Sequence, residues 1–259
     1  MLHAFGVLRR GRSRARRCHL GSLIEAWRWT AEDRIPLFLP LHHVHGIINV
    51  LSCCRWAGGH LEAFDRFDAP AIVDRVIAGH YTLFMAVPTI YVRLIKLMDS
   101  LPPDRRRDLA AGFAALRLSV SGSAALPASM HDRWATLTGQ RLLERYGMTE
   151  IGMALSHRYD GERRAGAVGE PLPGVEVRLV DEEGREIVGE DTAGEIQVRG
   201  PTVFLEYWLR PEAVRAWCRG RLSPDRIPRI MLVVDDLPRN AMGKCDKTAV
   251  HRLFMPVAP

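Results

Sequence analysis

The alternation of helix-like and strand-like segments between residues 20 and 165 most constrains how this chain can fold. Short apolar runs predict buried strands at residues 82–87, 116–120 and 142–146. Apolar residues at helical spacing predict helices at 21–29, 47–56, 71–78, 88–98 and 127–137. This order indicates an α/β fold with a mostly parallel sheet, in which ligands bind beyond the carboxyl ends of the strands.

The pattern changes after Gly166. Side chains alternate between apolar and polar over residues 175–180 and again over 195–198, and residues 181–184 (DEEG) have the composition of a turn. Alternation with intervening turns is typical of antiparallel hairpins. We therefore predict a small antiparallel β subdomain that follows the α/β part.

Positive charge is concentrated at the start of the chain. Of the 36 basic residues, six arginines fall in the first 20 positions, where there is no acidic residue, and the other 30 balance the 30 acidic residues. A balanced body disfavours nucleic-acid binding. The arginine-rich start has the composition of a mitochondrial transit peptide, or alternatively of a leader foreign to the fold, which leaves a cytoplasmic location open.

Cysteine usage and hydropathy narrow the class further. The five cysteines form no C-x-x-C pair, which fits reduced thiols in an intracellular compartment. No apolar run approaches the roughly 18 residues that a membrane span requires. His42, His43 and His45 lie close together, but no further ligand at metal spacing accompanies them, so we do not expect a zinc site.

Residues 146–150, Tyr-Gly-Met-Thr-Glu, end a predicted strand. In that position the aromatic ring could stack on a nucleobase, the hydroxyl could bind a phosphate oxygen, and the carboxylate could hold Mg²⁺, a hard cation that prefers oxygen ligands. Taken alone, the same pentapeptide could be a surface turn. The segments that accompany it favour the nucleotide interpretation.

Five segments occur in one order along the chain. They are residues 39–46 (LPLHHVHG), 120–127 (VSGSAALP), 144–150 (ERYGMTE), 194–200 (GEIQVRG) with Tyr207 and Trp208, and 238–247 (PRNAMGKCDK). Together they resemble the acyl-CoA synthetases of the adenylate-forming (AMP-binding) superfamily. Residues 42–46, 117–127 and 143–155 look most like malonyl-CoA synthetases within it.

The resemblance implies a reaction and a set of binding residues. Members of the superfamily use ATP and Mg²⁺ to convert a carboxylic acid to an acyl-adenylate and then transfer the acyl group to coenzyme A. The resemblance would place the nucleotide against Gly122, Ser123, Ala124, Tyr146, Gly147 and Thr149. It further implies that Thr149 contacts phosphate, that Glu150 ligates Mg²⁺, and that Lys244 stabilises the charge developing at the α-phosphate.

A malonate substrate would add one requirement. Malonate keeps a second carboxylate after activation, and burying that charge requires a cationic or hydrogen-bonding partner. By resemblance, Arg117 and His45 match positions that contact this carboxylate. Methylmalonate is a further candidate. From the residues alone, Arg117 could instead be solvated, and His45 could be a hydrogen-bonded core histidine.

Two departures from the superfamily pattern qualify the expected activity. Residues 8–19 hold the arginine run where the superfamily has a Pro-Lys-Gly loop that binds ATP phosphates, and no Gly-Asp segment or hinge follows Trp208. We expect four segments: a leader (1–19), a partial AMP-binding α/β domain (20–165), its β subdomain (166–209) and a remnant of the C-terminal α+β domain (210–259). A truncated, catalytically inactive chain is the alternative to a working enzyme.

Overall fold

The computed structural model describes the backbone of residues 13–203 and the side chains of residues 19–203. The predictions that concern residues 204–259, including the role of Lys244 and the C-terminal domain remnant, lie outside the described residues. The same holds for residues 1–12 of the predicted leader.

Helices and strands follow one another in the alternating order expected for an α/β fold. The helices are α1 (Ser13–Trp27), a π-helix (His45–Ser52), α2 (Cys53–Ala57), α3 (Ala69–Ile77), α4 (Pro88–Ser100), α5 (Pro103–Ala114) and α6 (Ala128–Thr138). The strands are β1 (Arg34–Leu37), β2 (His60–Ala63), β3 (Leu83–Ala86), β4 (Leu118–Gly122), β5 (Leu143–Met148), β6 (Gly152–Ser156), β7 (Glu170–Pro171), β8 (Glu176–Val180) and β9 (Glu195–Arg199). All five predicted helices and all three predicted strands within 20–165 are present, with shifted ends.

A five-stranded sheet in the order β3-β4-β5-β6-β7 forms the centre of this part of the chain. β3, β4 and β5 run parallel, whereas β6 and β7 are antiparallel to their neighbours. β1 and β2 form a separate parallel pair, and β1 contacts β3. The predicted fold class is therefore confirmed, and the carboxyl ends of β3, β4 and β5 meet at one edge of the sheet.

Aromatic side chains from β3 and the helices that follow it form the centre of the core. Phe84, Tyr91, Phe113 and Trp134 are fully buried and contact one another edge to face, with ring centroids between 4.8 and 5.9 Å apart. The Tyr91 hydroxyl donates to the Val120 carbonyl oxygen at 2.9 Å, which satisfies the polar end of a buried ring. These contacts fix α4, α5 and α6 against the sheet.

Helix α1 begins at Ser13, inside the segment predicted as a leader, and ends at Trp27. Arg28 ends the helix with φ 50°, in the left-handed region. The Trp27 indole is fully buried, and its Nε1–H donates to Ser156 Oγ on β6 at 3.0 Å. The predicted start at residue 21 was wrong. Residues 13–20 form the first part of the same helix, but they are mostly polar and show no apolar periodicity that would predict it.

The predicted helix at 47–56 is a π-helix that continues into α2. The start of the π-helix packs closely against the segment before it, and a Cβ at Gly46 would lie only 2.5 Å from the Pro40 carbonyl oxygen. Only glycine fits at this approach. π-Helical turns are rare and are frequently found at functional sites.

The antiparallel hairpin predicted after Gly166 is also present. β8 and β9 pair in antiparallel register, and Gly184 N–H closes the turn by donating to the Asp181 carbonyl oxygen at 3.0 Å. β7, however, lies after Gly166 and still pairs with β6, so the central sheet continues beyond residue 165. Within the described residues, no helix has the length and apolar character needed to cross a membrane.

Candidate functional site

Most of the predicted site residues lie where parallel strands end. Ser123 and Ala124 follow β4, and Thr149 and Glu150 follow β5. His45 opens the π-helix. The structure therefore brings segments that are far apart in sequence to the edge where an α/β fold binds its ligands.

Arg145 lies among these residues, although the sequence did not single it out. It is the third residue of β5, it is 3% exposed, and it pairs across the ladder with Gly122 of β4. Among the side chains of residues 19–203, no acidic group pairs with it, and its Nε has no hydrogen-bond partner. Burial lowers the pKa of Arg145 to about 9, so the guanidinium is still charged at neutral pH.

Ser123 joins Arg145 to His45. The Arg145 guanidinium donates to Ser123 Oγ at 3.2 Å, and Ser123 Oγ lies 3.2 Å from His45 Nδ1. Ser123 can donate its own proton to Nδ1, which places the histidine proton on Nε2. His45 Nε2 is buried and has no partner among the described residues. Desolvation by burial, followed by the charge of Arg145, holds the pKa of His45 well below its ordinary value, so the ring is neutral.

Backbone geometry builds this cluster. Ser123 has φ 71°, an unusual conformation for a residue with a side chain, and from this conformation its hydroxyl contacts both Arg145 and His45. A Cβ at Gly122 would lie 2.6 Å from the Arg145 Cζ. Glycine at 122 therefore leaves the space that the guanidinium occupies. Because Ser123 is exposed, the buried cation lies directly behind an accessible residue.

The predicted nucleotide residues Tyr146, Gly147, Thr149 and Glu150 lie on the β5–β6 hairpin, where each is partly buried. A Cβ at Gly147 would lie 2.3 Å from the Gly152 carbonyl oxygen, so the hairpin closes only with glycine there. Thr149 and Glu150 are adjacent in sequence and carry a hydroxyl and a carboxylate, which are oxygen ligands of the kind that Mg²⁺ prefers. Among the described side chains, those of residues 19–203, no three His, Cys, Asp or Glu residues cluster in a way that could hold a metal ion.

Arg117 lies elsewhere. It precedes the first residue of β4, so it is separated from Gly122 by about 16 Å along the strand. Its Nε donates to Asp33 Oδ1 at 2.6 Å, a second nitrogen pairs with Asp33 Oδ2, and a third donates to the Trp27 carbonyl oxygen at 3.0 Å. Arg117 therefore lies at the opposite end of β4 from Ser123 and is already paired with Asp33. Its contact with a substrate carboxylate stays a prediction.

At the amino ends of β1, β3 and β4, the buried Asp33 pairs with the partly buried Arg117. Asp33 also accepts hydrogen bonds from the Thr30 N–H and the Thr82 hydroxyl, each at 2.8 Å. Burial by itself raises the pKa of Asp33, but the hydrogen bonds from Arg117, Thr30 and Thr82 and the charge of Arg117 outweigh it, so the pKa is lowered. Burial alone would lower the pKa of Arg117, but the hydrogen bonds and charge of Asp33 favour the charged form more strongly, so the pKa is raised.

The fold and the site define an α/β protein with a buried cation and hydrogen-bonding groups beyond the carboxyl ends of its parallel strands. The profile of one family, described as AMP-binding enzyme, matches residues 6–208. The chain belongs to this AMP-binding enzyme family.

Curated relatives show which members of the family the chain resembles. The chain is 40% identical over 250 residues to the mouse malonate–CoA ligase ACSF3, mitochondrial, and this match covers 79% of the chain and 43% of the relative. It is 45% identical over 213 residues to the Xenopus laevis protein of the same name, covering 72% of the chain and 37% of the relative. The chain thus spans less than half the length of these relatives.

Solved structures agree with the fold. A malonyl-CoA ligase in a ternary product complex with methylmalonyl-CoA and AMP superposes with a TM-score of 0.69 at 45% identity, covering 78% of this chain and 42% of that one. ATP-bound MatB from Rhodopseudomonas palustris gives a TM-score of 0.71 at 27% identity, covering 94% of this chain and 64% of that one.

Proposed function

We propose that this chain activates a short dicarboxylic acid, malonate in the first place and methylmalonate as a second candidate, for transfer to coenzyme A. The observation that carries the proposal is Arg145, a buried arginine without an acidic partner in the described part of the chain. An uncompensated buried cation is costly, and a ligand that supplies a carboxylate removes that cost.

The cluster around Arg145 suits a carboxylate in particular. Arg145 can donate from its unpartnered Nε, and His45 can donate from Nε2, while Ser123 holds both side chains in place. A neutral histidine donor beside an arginine binds an anion without adding a second buried charge. We therefore propose Arg145, rather than Arg117, as the residue that pairs with the distal carboxylate, with His45 beside it.

The size of the expected selectivity follows from the charge. Hydrogen bonds to charged groups contribute about 1.5 to 3 kcal/mol, which corresponds to roughly 10- to 150-fold in affinity. A monocarboxylic acid of the same shape forgoes this contribution and leaves Arg145 unpaired. We expect the site to prefer dicarboxylic acids over such analogues by about this factor.

The proposed reaction has two steps. In the first, an oxygen of the proximal carboxylate forms a bond to the α-phosphorus of ATP, and the bond from that phosphorus to pyrophosphate breaks. In the second, the coenzyme A sulfur, having lost its proton, bonds to the acyl carbon, and AMP leaves with the electrons of the acyl–phosphate bond. Mg²⁺, when bound, would neutralise phosphate charge, and we propose Glu150 as its ligand and Thr149 as a phosphate contact.

Lys244 keeps its proposed role of stabilising charge at the α-phosphate, since a flexible ammonium suits a point contact. The nucleotide would lie against Gly122, Ser123, Ala124, Tyr146 and Gly147, and we also retain as proposals the four-segment division of the chain and its boundaries.

The names of the relatives support two further proposals, a mitochondrial location and a role in fatty acid and lipid metabolism. The vertebrate relatives are named as mitochondrial proteins, and six arginines without an acid in the first 20 residues fit a mitochondrial location. A malonyl-CoA product would serve fatty acid and lipid metabolism. Because the chain spans less than half the length of those relatives, activity of the whole protein is proposed from a partial match.

The test measures AMP release from ATP with coenzyme A in the presence of malonate or 3-methylbutyrate, whose branched end has the shape of a carboxylate without its charge. We expect a preference for malonate in the wild type. Arg145→Gln should lower kcat/KM for malonate by about 10- to 100-fold and leave that for 3-methylbutyrate nearly unchanged. Arg133→Gln, which removes an exposed arginine paired with Asp99, is the matched control and should change neither.

Two further results decide between the alternatives. Equal losses for both acids in Arg145→Gln would refute the assignment of Arg145. Lys244→Ala should abolish AMP release without weakening malonate binding measured by calorimetry. Malonate binding in the wild type without AMP release would support the inactive chain, in which residues 8–19 do not replace the Pro-Lys-Gly loop.

A further inference from the structure

The β5–β6 hairpin contains an irregularity next to the residues proposed for the nucleotide. Tyr146 pairs with Leu155, but Gly147 pairs with Met153, so β6 has one extra residue at this point. A bulge of this kind interrupts the ladder and leaves a backbone group without its regular partner. A buried N–H in such a place needs an acceptor from elsewhere in the fold.

Next to the extra residue, Ala154, the Met153 N–H has its acceptor on His19, in a distant part of the chain. Its Nε2 accepts the Met153 N–H at 2.9 Å, and the imidazole is 1% exposed. Because Nε2 accepts, the ring proton in this tautomer lies on Nδ1. His19 belongs to α1, and the same helix contacts β6 a second time through Trp27 and Ser156, so the helix holds β6 at two points.

The ring of His19 also shapes the turn. Gly152 has φ 69°, and a Cβ there would lie 2.9 Å from His19 Cε1. Glycine at 152 therefore serves both the left-handed backbone and the close approach of the ring. The Met153 side chain has a partner as well, because Asn49 Nδ2 on the π-helix donates to the Met153 sulfur at 3.4 Å. Met153, the second residue of β6, is thus held through its backbone by His19 and through its side chain by Asn49.

We infer that His19 is a positioning residue for the proposed nucleotide and Mg²⁺ site, acting through the hairpin that carries Thr149 and Glu150. This inference rests on the proposed function. Residues 149–151 connect two strands, and the bond to His19 fixes the first regular residues after them. Without the His19 ring, the buried Met153 N–H loses its acceptor, and Gly152 loses the imidazole that packs against it.

The test compares His19→Ala, His19→Gln and His131→Ala in the full chain. Glutamine keeps a side-chain acceptor at similar reach. His131 is a fully buried histidine on α6 that bonds to the Leu142 carbonyl oxygen at 3.1 Å, so its loss controls for general destabilisation. The first readout is the Kd for Mg²⁺–ATP by calorimetry, and the second is hydrogen exchange of a peptide spanning residues 148–156.

We expect His19→Ala to raise the Kd about tenfold and His19→Gln to restore it to within about threefold of the wild type, with no rise in His131→Ala. Equal effects in His19→Ala and His131→Ala, or no rescue by glutamine, would overturn the inference. If the wild type binds no nucleotide, the proposed function fails separately. Exchange in residues 148–156 then decides: acceleration in His19→Ala alone supports the positioning role, and unchanged exchange refutes it.

Discussion

Replacing Asp33 with asparagine tests how much the buried pair with Arg117 stabilises the fold. The Asp33 side chain is 2% exposed and that of Arg117 is 23% exposed. Removing one partner of a buried pair costs about 3 to 5 kcal/mol, because the other charge stays buried without compensation. Since Arg117 retains some contact with water, we expect a loss near the lower end, about 3 kcal/mol.

The assay is thermal and urea unfolding of the wild type and Asp33→Asn. For a domain of this size, about 3 kcal/mol corresponds to a fall in Tm of roughly 6 to 12 °C. The control is Asp74→Asn, which removes an exposed partner of Arg105 and should cost less than about 1 kcal/mol. A double variant with Arg117→Gln should lose less than the sum of the single losses. An Asp33→Asn protein as stable as Asp74→Asn would refute the reasoning.

The same pair predicts a dependence on pH with a definite sign. The pKa of Asp33 is lower in the folded protein than in the unfolded chain, so its contribution is present above the ordinary carboxyl pKa of about 4. The contribution is lost as pH falls through the lowered folded value. The stability difference between the wild type and Asp33→Asn should therefore be constant from neutral pH to about pH 5 and should narrow below about pH 4. A difference that widens in acid would contradict the lowered pKa.

Two glycine predictions follow from the backbone. Gly169 has φ 86°, and in Gly169→Ala the new Cβ would lie 2.1 Å from the Ser156 carbonyl carbon, so urea unfolding should show the free energy of unfolding lowered by more than about 3 kcal/mol. The control is Gly166→Ala, where φ is 78° but no atom lies within 4 Å of the new Cβ. It should lower the free energy of unfolding by only about 1 to 2 kcal/mol. Gly122→Ala should displace the Arg145 guanidinium and raise the Kd for malonate about tenfold by calorimetry, with a smaller change for 3-methylbutyrate; an equal rise for both acids would contradict it.

The parallel sheet could be predicted because its strands are short apolar runs between amphipathic helices. The end of β4 could not. Ser121 and Gly122 have the composition of a turn, yet both lie in the strand, because they pair with Glu144 and Arg145 of β5. Pairing with a neighbouring strand is a tertiary contact that outweighs local propensity.

Two other elements escaped prediction for related reasons. Helix α5 is strongly polar, and only Leu109 and Phe113, four residues apart, are buried. Strand β6 begins with Gly152 and is buried throughout, so no alternation marks it as a strand. In each case the signal that sequence patterns use was too weak, and the contact that decides the structure comes from residues distant along the chain.

The proposal of Arg145, rather than Arg117, as the partner of the distal carboxylate illustrates the same limit at the level of the site. Both arginines lie within predicted strands, at residues 116–120 and 142–146, and within segments that resemble malonyl-CoA synthetases. What separates them is Asp33, which lies 84 residues before Arg117 and reaches it only in the fold. An arginine already paired with a buried aspartate gains little from a second carboxylate. Arg145 has no such partner in the described part of the chain, so a bound dicarboxylate would remove its cost of burial.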